Sequence, residues 1–575
     1  MSKIICAHFK NPNSKNTEKK LISICKKIAP NNITPNPTKI LYSKSGISAI
    51  MNPMKTLSIF GDNILLGNAF SGTDKPWHSC DVNELDGSFA IFRNTPETSE
   101  CITDSVATRT IWYYFDSHTF LASTSQRAII LFLESFEFND QCIPWMLSTG
   151  SLGPVHSWDK RINRIPPYSS LTLDKKKWTI KINTKPIFFK SSKKTRSFYK
   201  KQFYTVITNT IKNSKIDLSK WTLPLSGGYD SRGLLFFLLK SSDKKPKTIT
   251  WGLKSSRFKE KNDAFIAKEV AKALNVSNKY YHTDLSNKES TEDIFNRFIL
   301  NGEGRVDHIG GYMDGFHIWK TLFENNVEGT IRGDVGFGLS RSVSSEINVR
   351  YAIGMATCSD YINLNTYCKQ YNLPFEQIPS HLNKKANETL EEWRDRLYHQ
   401  FRIPTILAAL SDLKLGYVEQ ATPFLSNKIL ELARSTPDNL RTKKKLFKEI
   451  VNSFEPKLEY ATQGANENYT STLKKQEVVE VLKAMLVSSD AKKIFPTPFL
   501  DKIEKSMKTE ARLNGTKTSK KDSMILYAKK ITPNFVKKMI AIKQPYLSLD
   551  NNLLAFRIYI ITYMFRLLHS EVKEL

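Results

Sequence analysis

Residues 223–232 read Leu223-Pro224-Leu225-Ser226-Gly227-Gly228-Tyr229-Asp230-Ser231-Arg232. Two adjacent glycines let a backbone turn tightly and bring its N–H groups against a ligand. An apolar run precedes them and a helical pattern follows, so they lie where a strand hands over to a helix. The first N–H groups of such a helix are unpaired and carry a partial positive charge. Ser226 and Ser231 add hydroxyl donors. Asp230 offers a hard oxygen to the magnesium that accompanies a polyphosphate. Leu225, Ser226, Gly227, Gly228, Asp230 and Ser231 therefore form the expected phosphate cradle, against the plainer alternative of a Gly-Gly turn that caps a helix. No Gly-Lys-Ser/Thr occurs in the chain, so this is not a Walker A loop.

The elements that must position this loop follow from hydrophobic periodicity. Phe203, Val206, Ile207 and Ile211 share one helical face. A strand is expected at 221–225, a helix through 233–240, a strand at 247–253, a helix presenting Ala264, Ala267, Val270, Ala271 and Leu274, and strands at 279–285 and 329–332. A helix is also expected at 312–319. Strands alternating with helices imply a parallel sheet covered on its faces. Ligands in such sheets bind at the carboxyl ends of the strands, where the loop falls. From about 385 onward the pattern is mostly helical. The first 190 residues instead read as β-rich, with short strands at 56–60, 63–67, 87–93, 110–115 and 119–123 separated by turn formers such as Gly61-Asp62. The polar stretch 190–196 reads as a linker, which gives two domains, 1–190 and 195–575.

The loop resembles the Ser-Gly-Gly-x-Asp-Ser pyrophosphate loop of ATP-pyrophosphatase enzymes. Further segments resemble the asparagine synthetase family over nearly the whole chain. They are Asp86-Gly87-Ser88-Phe89-Ala90, the stretch from Asp104 to Trp112-Tyr113-Tyr114, Leu121-Ala122-Ser123, Ile165-Pro166-Pro167, Asn262-Asp263-Ala264, and Val418-Glu419-Gln420-Ala421-Thr422-Pro423-Phe424-Leu425. In the last of these Ser426 replaces an acid. Gly333-Asp334-Val335-Gly336-Phe337-Gly338 resembles the family's Gly-Asp-Glu-Leu-Phe-Gly, with Val335 in place of the glutamate. The resemblance implies an α/β protein: an Ntn-hydrolase-like αββα sandwich at the N-terminus, then a synthetase domain of ATP-pyrophosphatase type with a helical C-terminal region. It implies ATP and Mg2+ as cofactors, with Gly333 in the pyrophosphate site and Asp334 a second magnesium ligand facing Asp230. Lys444 and Lys448 resemble basic positions that hold the α-phosphate or pyrophosphate. Their alternative is a solvated lysine-rich helix face. Glu303 and His308 are the expected helpers in deprotonating an amine.

The departures from the family are as informative. Glutamine-hydrolysing members carry a cysteine at position 2, where this chain has Ser2. Cys6 falls inside the first strand and is expected in the core. No glutamine-holding segments match, so the first domain reads as a glutaminase fold without its chemistry. The late Arg-x-Lys segment is replaced by Ala461-Thr462-Gln463. Without an ammonia source, the resemblance points to branches in which the substrate brings its own amine: β-lactam synthetases and the macrolactam synthetases that close lasso peptides. The expected reaction is carbon–nitrogen ligation that releases AMP and pyrophosphate. The expected partners are a precursor peptide and a protease that removes its leader. The competing expectations are an amide synthetase acting on a small molecule or polysaccharide, and a homologue that binds nucleotide or peptide without turnover.

Bulk composition sets the outer bounds. The chain has 575 residues, more than one core normally serves. Its 85 Lys and Arg against 56 Asp and Glu give a net charge of +29, which favours anionic partners. The charge is scattered in Lys-Lys pairs without an aromatic-studded stripe, so no nucleic-acid partner is expected. Seven cysteines without a CxxC pair argue against a disulfide framework or a zinc site. The apolar stretch 553–568 contains Arg557 and Arg566 and reads as a buried helix rather than a membrane span. With no signal pattern at the start, a cytoplasmic location is expected.

Overall fold

The computed structural model describes residues 3–11, 16–44, 46–70, 76–339, 341–466, 468–510 and 547–574. Ser2 lies outside the described residues. The chain is a mixed α/β structure with two antiparallel sheets and one parallel sheet.

The antiparallel sheets occupy the first third. One runs in the order Asn163–Arg164, Trp112–Phe115, Thr119–Ser123, Lys3–Phe9, Gly46–Met51, Lys39–Ser43. The other runs Thr179–Thr184, Ser169–Asp174, Thr98–Thr103, Gly87–Asn94, Asn63–Ala69, Ser58–Phe60. Side chains alternate along a strand, and this alternation divides the layers. Ile4 and Cys6 face the second sheet, packing with Ile64, Leu66, Phe92 and Cys101. Ile5 and Ala7 face the opposite way, toward Leu21 and Ile24 of helix Thr17–Ile28 and toward helix Gln126–Leu133. Cys6 is thus a core residue, its thiol pushed up to about 12 by burial. The outer face of the second sheet departs from the expected fourth, helical layer. Leu65, Phe89, Ile91 and Ile102 pack there against Cys80 and Leu85, from a segment whose one helical turn among the described residues is Val82–Glu84.

The parallel sheet has the order Asn278–His282, Lys247–Gly252, Trp221–Pro224, Gly329–Ile331, Glu419–Ala421, every neighbouring pair parallel. In chain order the strands step outward in one direction and then, from Gly329–Ile331 onward, in the other. The switch lies between Trp221–Pro224 and Gly329–Ile331. The fifth strand, Glu419–Ala421, was not expected; it is short, and its Glu419 and Gln420 carry none of the apolar signal that marks a buried strand. The helix expected at 312–319 begins later, as His317–Glu324. Gly315 and Phe316 both turn left-handed, and the Asp314 carboxylate accepts from the Ile318 N–H at 3.0 Å, so the chain folds back before the helix starts.

The stretch 190–196 is docked rather than free. The Lys190 and Ser192 N–H groups donate to the Arg434 and Ser435 carbonyls at 3.1 and 2.9 Å. The hydroxyl of Thr195 then caps helix Arg196–Asn213 by accepting from the Phe198 N–H. The largest apolar core also crosses the change in architecture, joining Ile5, Leu21 and Trp145 to Phe298 and Phe556. Helix Asn551–Glu571 is long and apolar enough to cross a membrane by length and composition, but most of it is buried in that core. All seven cysteines are buried and unbridged.

Candidate functional site at the switch of the parallel sheet

The loop 225–231 leaves strand Trp221–Pro224 and enters helix Tyr229–Ser241. It is braced from within. The Ser231 hydroxyl oxygen accepts from the Ser226 N–H at 3.0 Å, and the two serine hydroxyls lie 3.0 Å apart. The Gly227 N–H donates to the Asp263 carboxylate at 3.1 Å. Asp263 stands in the segment 262–264 singled out from sequence, and it opens helix Asp263–Ala273. Gly228 precedes the loop's own helix, which no side chain caps, so its leading N–H groups are available to an anion.

The second motif meets the first at the switch. Arg332, Gly333 and Asp334 follow strand Gly329–Ile331 directly. A Cβ on Gly333 would lie 2.9 Å from the Asp230 carbonyl carbon and 3.0 Å from the Ser231 nitrogen. Glycine there is what lets the two loops touch. The Asp334 charge then reaches Asp230. Loss of water pushes the Asp230 carboxyl above its ordinary value; Lys444 pulls it back, Asp334 pushes it further up, and Lys448 opposes.

Lys444 and Lys448 both lie against residues of the loop and its helix. Lys443 and Lys444 take successive left-handed conformations, with φ of 61° and 55°. Left-handed backbone costs a non-glycine residue roughly 1–2 kcal/mol. This turn folds the Lys444 ammonium back onto Asp230 Oδ2 at 2.5 Å. Lys448, one turn into helix Lys445–Val451, lies over the Tyr229 ring at 5.0 Å. A groove of about 500 Å³ opens beside them, lined by Tyr229, Thr442, Lys443, Lys445 and Lys448 among others.

Asp230 Oδ1 is buried without a partner among the described residues. Asp334, by contrast, has Arg332 on both oxygens, at 3.0 and 3.2 Å. Among the described residues no group of three or more His, Cys, Asp or Glu side chains is placed to hold a metal. Magnesium commonly binds through one or two carboxylates together with substrate phosphates. The bare oxygen of Asp230 suits that mode, while both Asp334 oxygens are taken by Arg332.

Glu303 is not part of this site. It is about 1% exposed, paired with Lys3 at 2.8 Å, and it accepts from the Gln126 and Arg127 N–H groups at the start of a helix of the first third. Burial would raise its carboxyl, but the Lys3 ammonium and its hydrogen bond, with the Ser125 hydrogen bond and the Arg305 charge, hold it below the ordinary value. The expected catalytic role is corrected to a structural one: Glu303 ties the two halves together. Arg305 does the same, bonding Asp412 at 2.5 Å and Thr110. His308 pairs with Asp307, which also takes Arg557.

Several residues of the site were not singled out from sequence. Arg232 holds a strap, 458–466, across the loop. Its guanidinium lies 3.9 Å over the Tyr460 ring and donates to the Leu458 and Glu459 carbonyls. Tyr460 stacks on Tyr229 at 3.7 Å, and the Ala461 N–H donates to the Gly227 carbonyl. The segment 461–463 thus packs on the loop.

Comparison with protein-family models and with curated proteins finds no match to this chain.

Proposed function

We propose that this chain is an ATP-dependent amide synthetase that adenylates a substrate carboxylate and joins it to an amine. The observation that carries the reading is the meeting of the 226–231 loop and Gly333-Asp334 at the carboxyl ends of the two strands flanking the sheet's switch point. Open parallel sheets bind ligands in that crevice. The uncapped helix start and the Ser226 and Ser231 hydroxyls suit the β- and γ-phosphates, and Lys444 and Lys448 suit the charge that builds as they depart. Magnesium bound through Asp230 and Asp334 would neutralise the leaving pyrophosphate. The carboxylate oxygen attacks the α-phosphorus, the bond to the bridging oxygen breaks, and pyrophosphate leaves. An amine then displaces AMP. If both groups belong to one molecule, orientation supplies much of the rate, since effective molarities reach roughly 10⁵–10⁸ M.

The finer reading is macrolactam closure of a peptide: a side-chain carboxylate joined to the peptide's own N-terminal amine, as in lasso peptide synthetases, with ATP and Mg2+ as cofactors. The lysine-lined groove beside the loop suits an acidic peptide. The antiparallel first third, with Cys6 buried, fits a glutaminase-like sandwich without a glutaminase cysteine at that position. A second reading has one observation in its favour. Arg332 covers both oxygens of Asp334, as in a protein that binds nucleotide without turning it over. The test is ATP-to-AMP conversion with synthetic peptides bearing an acidic side chain and a free N-terminus. The synthetase reading expects pyrophosphate only with a matching peptide, and loss of it in Asp230→Asn. Turnover unchanged in that variant overturns the role of Asp230, and no pyrophosphate with any carboxylate favours the second reading.

A further inference from the structure

Lys445 and Glu449 stand four apart on helix Lys445–Val451, where opposite charges are neighbours and normally pair. Here they do not. Both Glu449 oxygens go instead to Arg196, at the start of helix Arg196–Asn213, at 2.6 and 3.0 Å. Glu449 is the one acid among the described residues that line the groove beside the phosphate loop. Lys443, Lys445 and Lys448 line the same groove, and none of the three makes an ion pair with a described residue. The groove thus holds three unpaired cations, and its own carboxylate is already neutralised by Arg196.

The backbone sorts these cations. The left-handed pair Lys443 and Lys444 sends the Lys444 ammonium to Asp230, while Lys443 and Lys445 stay exposed at the groove. The Lys443 N–H, bonded to the Leu339 carbonyl at 2.7 Å, ties this turn down. A cleft lined by one sign of charge concentrates ligands of the other. A single-stranded nucleic acid needs open aromatic faces for its bases. Tyr229, the groove's aromatic residue, is taken: Tyr460 stacks on it at 3.7 Å and Lys448 lies over its ring at 5.0 Å. Ser342 and Asn439 instead offer a hydroxyl and an amide to a peptide main chain. Lysines are point charges on flexible stems, which suits carboxylates spaced along a segment.

Resting on the synthetase reading for the ligand's being the substrate, we propose that this groove docks an acidic segment of the peptide, apart from the carboxylate that is adenylated. Lys443, Lys445 and Lys448 meet the side-chain carboxylates of that segment. Arg196 keeps Glu449 from competing for them. Tyr229 opens the loop's own helix, so a segment docked here lies beside the phosphate loop. Exposed ion pairs are individually weak and screened by salt, so the affinity is modest, spread over the lysines and dependent on ionic strength.

The test is fluorescence anisotropy with the full chain, no nucleotide, and a labelled peptide rich in glutamate; the same peptide with glutamines is the control. Wild type should bind the acidic peptide about tenfold more tightly, and should lose most of that preference at about 0.5 M salt. Lys443→Glu combined with Lys445→Glu should abolish the preference and favour a peptide with lysines in place of the glutamates. Arg196→Ala, which frees Glu449 to turn to Lys445, should weaken acidic-peptide binding by about twofold to fivefold. Adding Glu449→Gln to Arg196→Ala should restore it. Equal binding of the two peptides by wild type, or an undiminished preference in the double lysine variant, would overturn the docking site. So would tighter binding of a single-stranded oligonucleotide or of inorganic pyrophosphate through the same two lysines, which would assign them to phosphate. Failure of the synthetase reading shows separately, as acidic-peptide binding with no pyrophosphate released from ATP with any carboxylate.

Discussion

Two carboxylates in this molecule each face a lysine, and they are built to opposite ends. Glu303 meets Lys3 and two helix N–H groups, leaves no oxygen bare, and is held below the ordinary carboxylate value. Asp230 meets Lys444 with one oxygen, leaves the other buried and bare, and is pushed above its ordinary value. The first arrangement is complete without a ligand. The second is not, and an unsatisfied buried oxygen is costly unless something arrives to meet it. The difference teaches that a carboxylate–lysine pair is assigned by what its remaining atoms face, not by the pair itself.

The comparison breaks most readily at Glu303. Glu303→Gln leaves Lys3 as an uncompensated buried charge, which should cost about 3–5 kcal/mol of stability. Denaturant unfolding reads this, while ATP turnover per folded molecule should hold. A variant that unfolds like wild type would erase the contrast. Asp230→Asn should do the reverse, lowering turnover by about 10²–10³-fold with an unfolding midpoint unchanged or raised. Gly333→Ala brings a methyl against the Asp230 and Ser231 backbone. Overpacking of this kind costs roughly 1–3 kcal/mol, and nucleotide affinity should fall with it, as calorimetric titration would show.

The smallest effect is the acid limb. Glu303 has a folded value below its unfolded one near 4.5. The stability it contributes is therefore complete above that pH and lost as pH falls through the folded value. Asp230 has the opposite sign: its folded value lies above 3.8, so ionising it costs stability as pH rises through that value. Comparing acid unfolding of Glu303→Gln and Asp230→Asn with wild type should show a flattened acid limb in the first and not in the second.

Much of this was legible in the residues. Strands Trp221–Pro224, Lys247–Gly252 and Gly329–Ile331 fall within a residue or two of the expected places, because apolar runs bounded by turn formers mark buried parallel strands. The 226–231 loop touches Gly333, and Lys444 and Lys448 reach Asp230 and the Tyr229 ring. What the sequence could not show was which polar residues share a place in three dimensions. Glu303 sits in a Gly-Glu-Gly turn that looks like a ligand loop, yet its partner is Lys3, 300 residues away. The Arg232–Tyr460 clamp depends on a contact between segments 228 residues apart.

The central claim is that the bend at Ser226 to Ser231 grips a nucleotide's phosphates with a metal on Asp230. Thermal unfolding of the full chain with ATP, with and without Mg2+, tests it most directly. A ligand at 100 times its Kd stabilises the native state by about 2.7 kcal/mol. The account predicts an upward shift in wild type that needs both ATP and Mg2+ and collapses in Asp230→Asn. An equal shift in the variant, or none in wild type at millimolar ATP, would contradict it.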